Sequence, residues 1–180
     1  MSALQQAILS YGTAGGGPTI TPITWNPSDK NALLSLDEAD KRAYSTTSGT
    51  WRGVRSATSF TTGGVGDLMI EVERLASANV IVGFMKSTGS LADSAFVGSD
   101  ANGWGYYASN GNKFNNGTGS AYGASLAAGD KFRAKINAAG DIEFFKNGVS
   151  QGVAFTGLSG TFYPAVSVFD FAAGSGARAT

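Results

Sequence analysis

Between Leu68 and Leu75 the side chains alternate. Leu68, Ile70, Val72 and Arg74 fall on one side of an extended chain, and Met69, Glu71, Glu73 and Leu75 on the other. A period of two predicts a strand with one face inward. The same period runs through 131–137, where Phe132, Ala134 and Ile136 share a face. It returns in 141–146, where Ile142 and Phe144 oppose Asp141, Glu143 and Phe145. Val80 to Met85 differs: its near-continuous apolar run predicts a strand buried on both sides. Shorter strands are predicted over 19–25, 32–36, 43–46, 51–58, 96–98, 104–108, 149–155 and 163–171. That makes about a dozen, at roughly the 8–12-residue spacing of sandwiches and barrels. Turn signals separate them: Asn26-Pro27-Ser28, Thr47-Ser48-Gly49, Gly63-Gly64-Val65-Gly66, Asn110-Gly111, Ala138-Ala139-Gly140 and Asn147-Gly148. Asn147-Gly148 has the chemistry of a type I′ turn, in which both central residues need positive φ. The expected fold class is all-β, an antiparallel sandwich with its aromatic residues between two sheets about 10 Å apart.

Helical spacing occurs only at the start, where Leu4, Ala7, Ile8 and Tyr11 form one apolar stripe. A glycine-rich spacer follows at 12–17. Two parts are therefore expected: an anchoring arm over 1–18 that docks on another protein through Leu4, Ile8 and Tyr11, and a sandwich over 19–180.

Composition narrows the chemistry. The chain has 180 residues, 13 basic and 13 acidic, with no cysteine and no histidine. Zero net charge gives no general attraction for nucleic acid. Without cysteine there are no disulfides or thiolate metal sites, and without histidine the usual base near neutral pH is missing. Ser-His-Asp and Cys-His nucleophile systems cannot be built from this chain alone. Only 14% of residues are charged, so the surface is rich in hydroxyl and amide groups, suited to carbohydrate or protein contact. No segment approaches the ~20 apolar residues of a membrane span. The opening residues lack the basic n-region of a signal peptide, so assembly in a cytoplasm is expected.

Several short pieces, in order, carry a resemblance: Trp51-Arg52-Gly53-Val54-Arg55, Ile70-Glu71-Val72-Glu73, Val82-Gly83-Phe84, Gly103-Trp104-Gly105-Tyr106-Tyr107, Asn116-Gly117 and Gly129-Asp130. Ile142-Glu143-Phe144-Phe145-Lys146-Asn147-Gly148, Gly152-Val153-Ala154-Phe155 and Tyr163-Pro164-Ala165-Val166-Ser167 complete the set. In these pieces and their spacing, residues 51–167 resemble the SPRY domain family, and within it the small SPRY-like domains of bacteriophage proteins; Trp25-Asn26-Pro27-Ser28-Asp29 followed by Leu33 to Leu36 resembles the opening of the phage versions and extends the likeness to about 24–170. The resemblance implies a bent, concanavalin-like (jelly-roll) β-sandwich that recognises partners through loops at one edge and performs no catalysis. It also implies a virion protein: a tail fibre or other tail component, or a capsid decoration.

Candidate ligand-binding residues are Trp104, Tyr106, Asn110 and Asn112. Flat aromatic faces stack on sugars and amides bond hydroxyl groups, but Trp104 and Tyr106 also suit a core strand and the asparagines also suit turns. Tyr106 and Tyr107 must point to opposite faces. Glu71 with Glu73, and Asp141 with Glu143, have the pairing that glycosidases use and equally that of solvated strand faces. Ser99-Asp100-Ala101-Asn102-Gly103 has a partial calcium-loop pattern, better read as a turn. No catalytic residue, metal or cofactor is expected. The expected function is a non-enzymatic bacteriophage virion surface protein that docks by its arm and displays the sandwich for adhesion to host-surface glycan (carbohydrate binding) or protein. Its expected partners are capsid or tail structural proteins, in a homo-oligomer or multi-copy assembly, with no nucleic acid and no membrane insertion. The alternatives are a glycan-processing enzyme using Glu71 or Glu143, and an intracellular peptide-binding adaptor.

Overall fold

The computed structural model describes residues 19–47, 49–76, 79–170 and 176–180. The arm residues Leu4, Ile8 and Tyr11 lie outside them. Among the described residues fifteen strands follow in chain order. They are β1 (Trp25–Lys30), β2 (Leu34–Asp37), β3 (Arg42–Ser45), β4 (Arg52–Ser56), β5 (Phe60–Thr61), β6 (Asp67–Leu75), β7 (Val80–Met85) and β8 (Gly103–Tyr107). Then come β9 (Lys113–Asn115), β10 (Thr118–Ser120), β11 (Lys131–Asn137), β12 (Ile142–Lys146), β13 (Val149–Phe155), β14 (Thr161–Val168) and β15 (Gly176–Ala179). One sheet of eight runs β1-β4-β14-β7-β8-β9-β10, with β5 also on β14; a second of seven runs β13-β12-β11-β6-β15-β3-β2. Every pairing is antiparallel. The all-β sandwich expected from the alternation is the fold observed.

The alternating strands meet in register: Ile70 faces Ala134, which faces Phe144. Their inward side chains join Trp25, Val54, Phe84, Tyr106, Phe162 and Val166 in one buried layer between the sheets. Tyr106 sits 4.9 Å from the Phe132 ring, 5.4 Å from Phe144 and 5.6 Å from Tyr122. Its hydroxyl donates to the Ala124 carbonyl. Burial, with the Tyr122 phenol beside it, pushes Tyr106 up to about 12.

Three expectations are revised. Of residues 19–25 only Trp25 lies in a strand; ahead of it Thr21 N–H bonds the Met69 carbonyl at 2.7 Å. Residues 96–98 form a turn instead of a strand: Ser99 N–H donates to the Phe96 carbonyl at 2.8 Å and Gly98 has φ 97. Residues 26–28 are strand instead of turn. β1 is an edge, so Pro27 has no second neighbour to bond, and its pairing with β4 shifts register between Trp25 and Lys30.

The outer face of the seven-stranded sheet is a lattice of cross-strand ion pairs. Glu71, nearly excluded from solvent, accepts from Lys131 at 3.0 Å, Arg133 at 2.7 Å and Thr180 at 2.8 Å. Lys135 meets Glu143 at 2.7 Å, Arg42 meets Asp37 at 3.0 Å, and Arg178 bridges Glu38 and Glu73. Burial alone would raise Glu71, but the bonds from Arg133, Lys131 and Thr180 outweigh it and hold the carboxyl below its ordinary 4.5. A lowered folded value means a contribution to stability that is whole above the unfolded value and fades as pH falls through the folded one. The melting temperature is therefore expected to be level down to pH 4.5 and to drop below it. Glu71→Gln should flatten that drop in a calorimetric pH series; an equally steep drop would locate the acid sensitivity elsewhere.

At the free side of β13, the Gly152 carbonyl accepts from the Tyr122 hydroxyl, and the Ala154 carbonyl from Lys113 Nζ at 2.6 Å. Edge strands left open invite pairing with other chains, and these side chains occupy two of the acceptors.

Candidate functional site

The site grows from a face floored by glycine. On the outer side of the eight-stranded sheet, pairing aligns Gly53, Ser167, Ile81 and Tyr107 in one row. Arg55, Ala165, Gly83, Gly105 and Phe114 form the next row, and Tyr163, Met85 and Gly103 a third. The missing side chains let the segment 86–102 lie flat on the sheet. A Cβ on Gly105 would stand 2.3 Å from the Val97 carbonyl oxygen, and one on Gly103 2.6 Å from the Gly98 nitrogen. Val97 N–H donates to Ser167 Oγ at 3.1 Å. Ile81, Met85, Val97 and Ala165 form a second small core beneath the segment. This is why Val80 to Met85 is apolar throughout: β7 is buried on both faces.

Buried polar groups tie the segment down. Arg55 grips Asp29 through two bonds of 2.7 and 2.8 Å and donates to the Gly89 carbonyl at 2.8 Å. Asn31 Nδ2 donates to the Leu91 carbonyl at 2.9 Å and to Asp93 at 3.1 Å. Ser94 N–H reaches the Trp51 carbonyl at 3.1 Å.

Beside the segment, five rings crowd together. Trp51 packs against Phe169 at 5.1 Å, Phe96 at 5.7 Å and Tyr107 at 5.7 Å between centroids. Phe114 closes the group, 5.5 Å from Phe96 and 6.3 Å from Tyr107. All five remain partly exposed. A polar chain borders them: Tyr107 and Ser109 hydroxyls donate to Asn79 Oδ1 at 2.8 and 2.6 Å, and Asn79 Nδ2 donates to Asp170 at 2.6 Å. An apolar centre with a polar rim is the anatomy of protein interfaces, where Trp and Tyr are enriched. Tyr44, Tyr122, Phe145 and Phe155 are also partly exposed, but each lies under a cation of the chain itself, Arg42, Lys113, Lys135 and Lys113 respectively.

The sequence-derived candidates fall elsewhere. Trp104 and Tyr106 point between the sheets, 7% and 0% exposed, on the opposite side of β8 from Tyr107. Neither offers an open ring face for stacking, because period two sends them inward and sends Gly103, Gly105 and Tyr107 outward. Asn110 is exposed, but its Oδ1 accepts from Asn112 N–H at 2.9 Å, and the Asn112 carbonyl accepts from Tyr107 N–H at 2.8 Å. Both shape the turn between β8 and β9. Asp100 accepts from Ser90 and Asn102 backbone N–H groups, also a turn arrangement. Glu71 and Glu143 are both held below the ordinary range; burial raises each, but hydrogen bonds from Arg133 and Lys131 at Glu71, and from Lys135 and Ser150 at Glu143, prevail. They are ionised at neutral pH and poorly suited to donate a proton, as a glycosidase acid must. Sequence reasoning missed Trp51, Phe96, Phe114 and Phe169 as a group. The alternating glycines of β8 carried a signal, since glycine on one strand face marks a close backbone approach.

Comparison with known proteins gives four matches. Residues 68–178 match the family model of the SPRY domain. Over 154 residues the chain is 31% identical to Ran-binding protein 9 of Xenopus tropicalis, covering 82% of this chain and 28% of that protein. A Ran-binding proteins 9/10 homolog of Drosophila melanogaster is 27% identical over 172 residues, 89% of this chain and 17% of that protein. Among solved structures, the SPRY domain of human HERC1 superposes with a TM-score of 0.71 at 18% identity, covering 86% of this chain and 96% of that one. These animal relatives overturn the expected bacteriophage virion role. With it go the tail-fibre and capsid-decoration assignments, the capsid or tail partners, the host-surface adhesion and the virion location.

Proposed function

The chain belongs to the SPRY domain family, and on that premise we propose that it is a non-enzymatic adaptor module, residues 19–180, that binds an extended peptide segment of a partner protein on the five-ring face. The observation that carries this reading is the packing of Trp51, Phe96, Tyr107, Phe114 and Phe169, partly exposed and bordered by Asn79, Ser109 and Asp170. The rings rest on a sheet and on a segment pinned by Arg55 and Asn31, so little ordering remains to oppose binding. The frog and fly relatives are named for binding Ran. The chain spans 28% and 17% of their lengths, and the proposal is limited to a protein segment as the partner class.

The test is selection from a displayed library of random peptides of about ten residues, long enough to cross a sheet face. Enriched peptides are expected to bind the protein and to lose at least about tenfold in affinity with Trp51→Ala, the magnitude of an aromatic hot spot. Deleting residues 2–17 should leave that affinity unchanged. Failure to enrich any peptide, or enrichment indifferent to Trp51→Ala in a variant of native melting temperature, would remove this reading.

A further inference from the structure

The charge around the five rings is one-sided. Asp93 lies beside Trp51: Ser94 N–H bonds the Trp51 carbonyl, and the Asp93 side chain is 59% exposed. Asp170 follows Phe169 and joins Tyr107 through Asn79. Asp100 bonds Asn116 N–H through its main-chain carbonyl at 3.0 Å, while its carboxylate is taken up by the Ser90 and Asn102 N–H groups. Two carboxylates, Asp93 and Asp170, thus stand at the margin of the apolar centre. Among the described residues no lysine or arginine stacks on any of the five rings. The two arginines at that end are both engaged by the chain itself, Arg52 in part by Asp93. Arg52 is buried with Nη1 on Ser45 and Thr47, and its Nε stands 3.7 Å from Asp93; Arg55 is occupied by Asp29 and Gly89. Lys30 donates to the Leu34 and Asn31 carbonyls.

Resting on the peptide-binding reading above, we infer that the occupant of this face is a basic segment: an extended stretch of a partner protein in which a lysine or arginine accompanies an apolar or aromatic residue. The apolar side chain fills the space against Trp51 and Phe114. The cation lies over a ring face whose quadrupole attracts it, with Asp93 or Asp170 as counter-charge. Elsewhere four partly exposed rings, Tyr44, Tyr122, Phe145 and Phe155, lie under cations of the chain itself. On this face the cation is left for the partner to bring. An acidic segment would meet like charge at Asp93 and Asp170, and so would a nucleic-acid backbone.

The same peptide selection tests it. Enriched peptides are expected to carry net positive charge, with lysine or arginine near an apolar residue. Their affinity should fall several-fold from about 50 mM to about 500 mM salt, because exposed charges are screened. Asp93→Asn with Asp170→Asn, which keep a side-chain oxygen to accept from Asn31 and Asn79, should weaken binding about tenfold. If that double variant does not fold, the salt series on the unaltered protein decides. Neutral or acidic enriched peptides, or affinities indifferent to salt, overturn the inference. If such peptides still depend on Trp51, the adaptor reading stands without it.

Discussion

Phe144→Ala is expected to remove about 3–5 kcal/mol of folding stability, the usual cost of truncating a buried phenylalanine to alanine. A domain has only about 5–15 kcal/mol in all, so this one ring carries a large part of it. Phe144 is fully buried, with its ring 5.4 Å from Tyr106, 5.4 Å from Phe132 and 6.0 Å from Tyr122. Its neighbours cannot move in to fill the space. The Tyr106 hydroxyl is bonded to the Ala124 carbonyl and the Tyr122 hydroxyl to that of Gly152, so collapse would break hydrogen bonds. Phe144→Leu keeps most of the volume and should cost less than about 1.5 kcal/mol. Urea unfolding would measure both, with the midpoint moving and the slope unchanged. A loss below about 1.5 kcal/mol for the alanine variant would mean that the layer between the sheets repacks freely, against the rigidity argued here.

Gly105→Ala should damage the recognition face out of proportion to its size. The new methyl would stand 2.3 Å from the Val97 carbonyl oxygen and 2.6 Å from Ile81 Cγ2. A backbone oxygen cannot swing aside as a side chain can, so the segment 86–102 must lift. Overpacking of this kind costs about 1–3 kcal/mol. The larger effect falls on binding, because Phe96 rides on that segment and closes the ring group against Trp51 and Phe114. Gly64→Ala is the control, since its nearest neighbour would be 3.9 Å away. Peptide affinity should drop about tenfold or more for Gly105→Ala, as expected for losing a central aromatic contact, and stay level for Gly64→Ala. Equal affinities for the two variants would dissociate the segment from the face.

The sandwich could be read from the chain because strand alternation is local. Leu68, Ile70 and Val72, or Phe132, Ala134 and Ile136, announce a buried face within a few residues. The short pieces β5, β9, β10 and β15 escaped because their pairing, such as Thr161 with Thr61, comes from distant chain and not from their own composition. The site was half visible. The stretch from Gly103 to Tyr107 drew notice for its rings, but strand parity turns Trp104 and Tyr106 inward and makes the glycines and Tyr107 the informative residues. Trp51, Phe96, Phe114 and Phe169 are brought together by the register of β4, β14, β8 and β9 and by a segment without regular structure. No periodicity within any one of them predicts that meeting. The bacteriophage assignment came from likeness of motif alone, and motifs that hold a fold together do not record where the fold is used.

The side chains of Tyr122 and Lys113 along the margin of β13 bear on life in company. A stray extended chain arriving at that selvage finds two of its docking points taken. Molecules held at high local density, whether on a scaffold or strung along one polypeptide, therefore meet as neighbours and do not knit into fibres from that side.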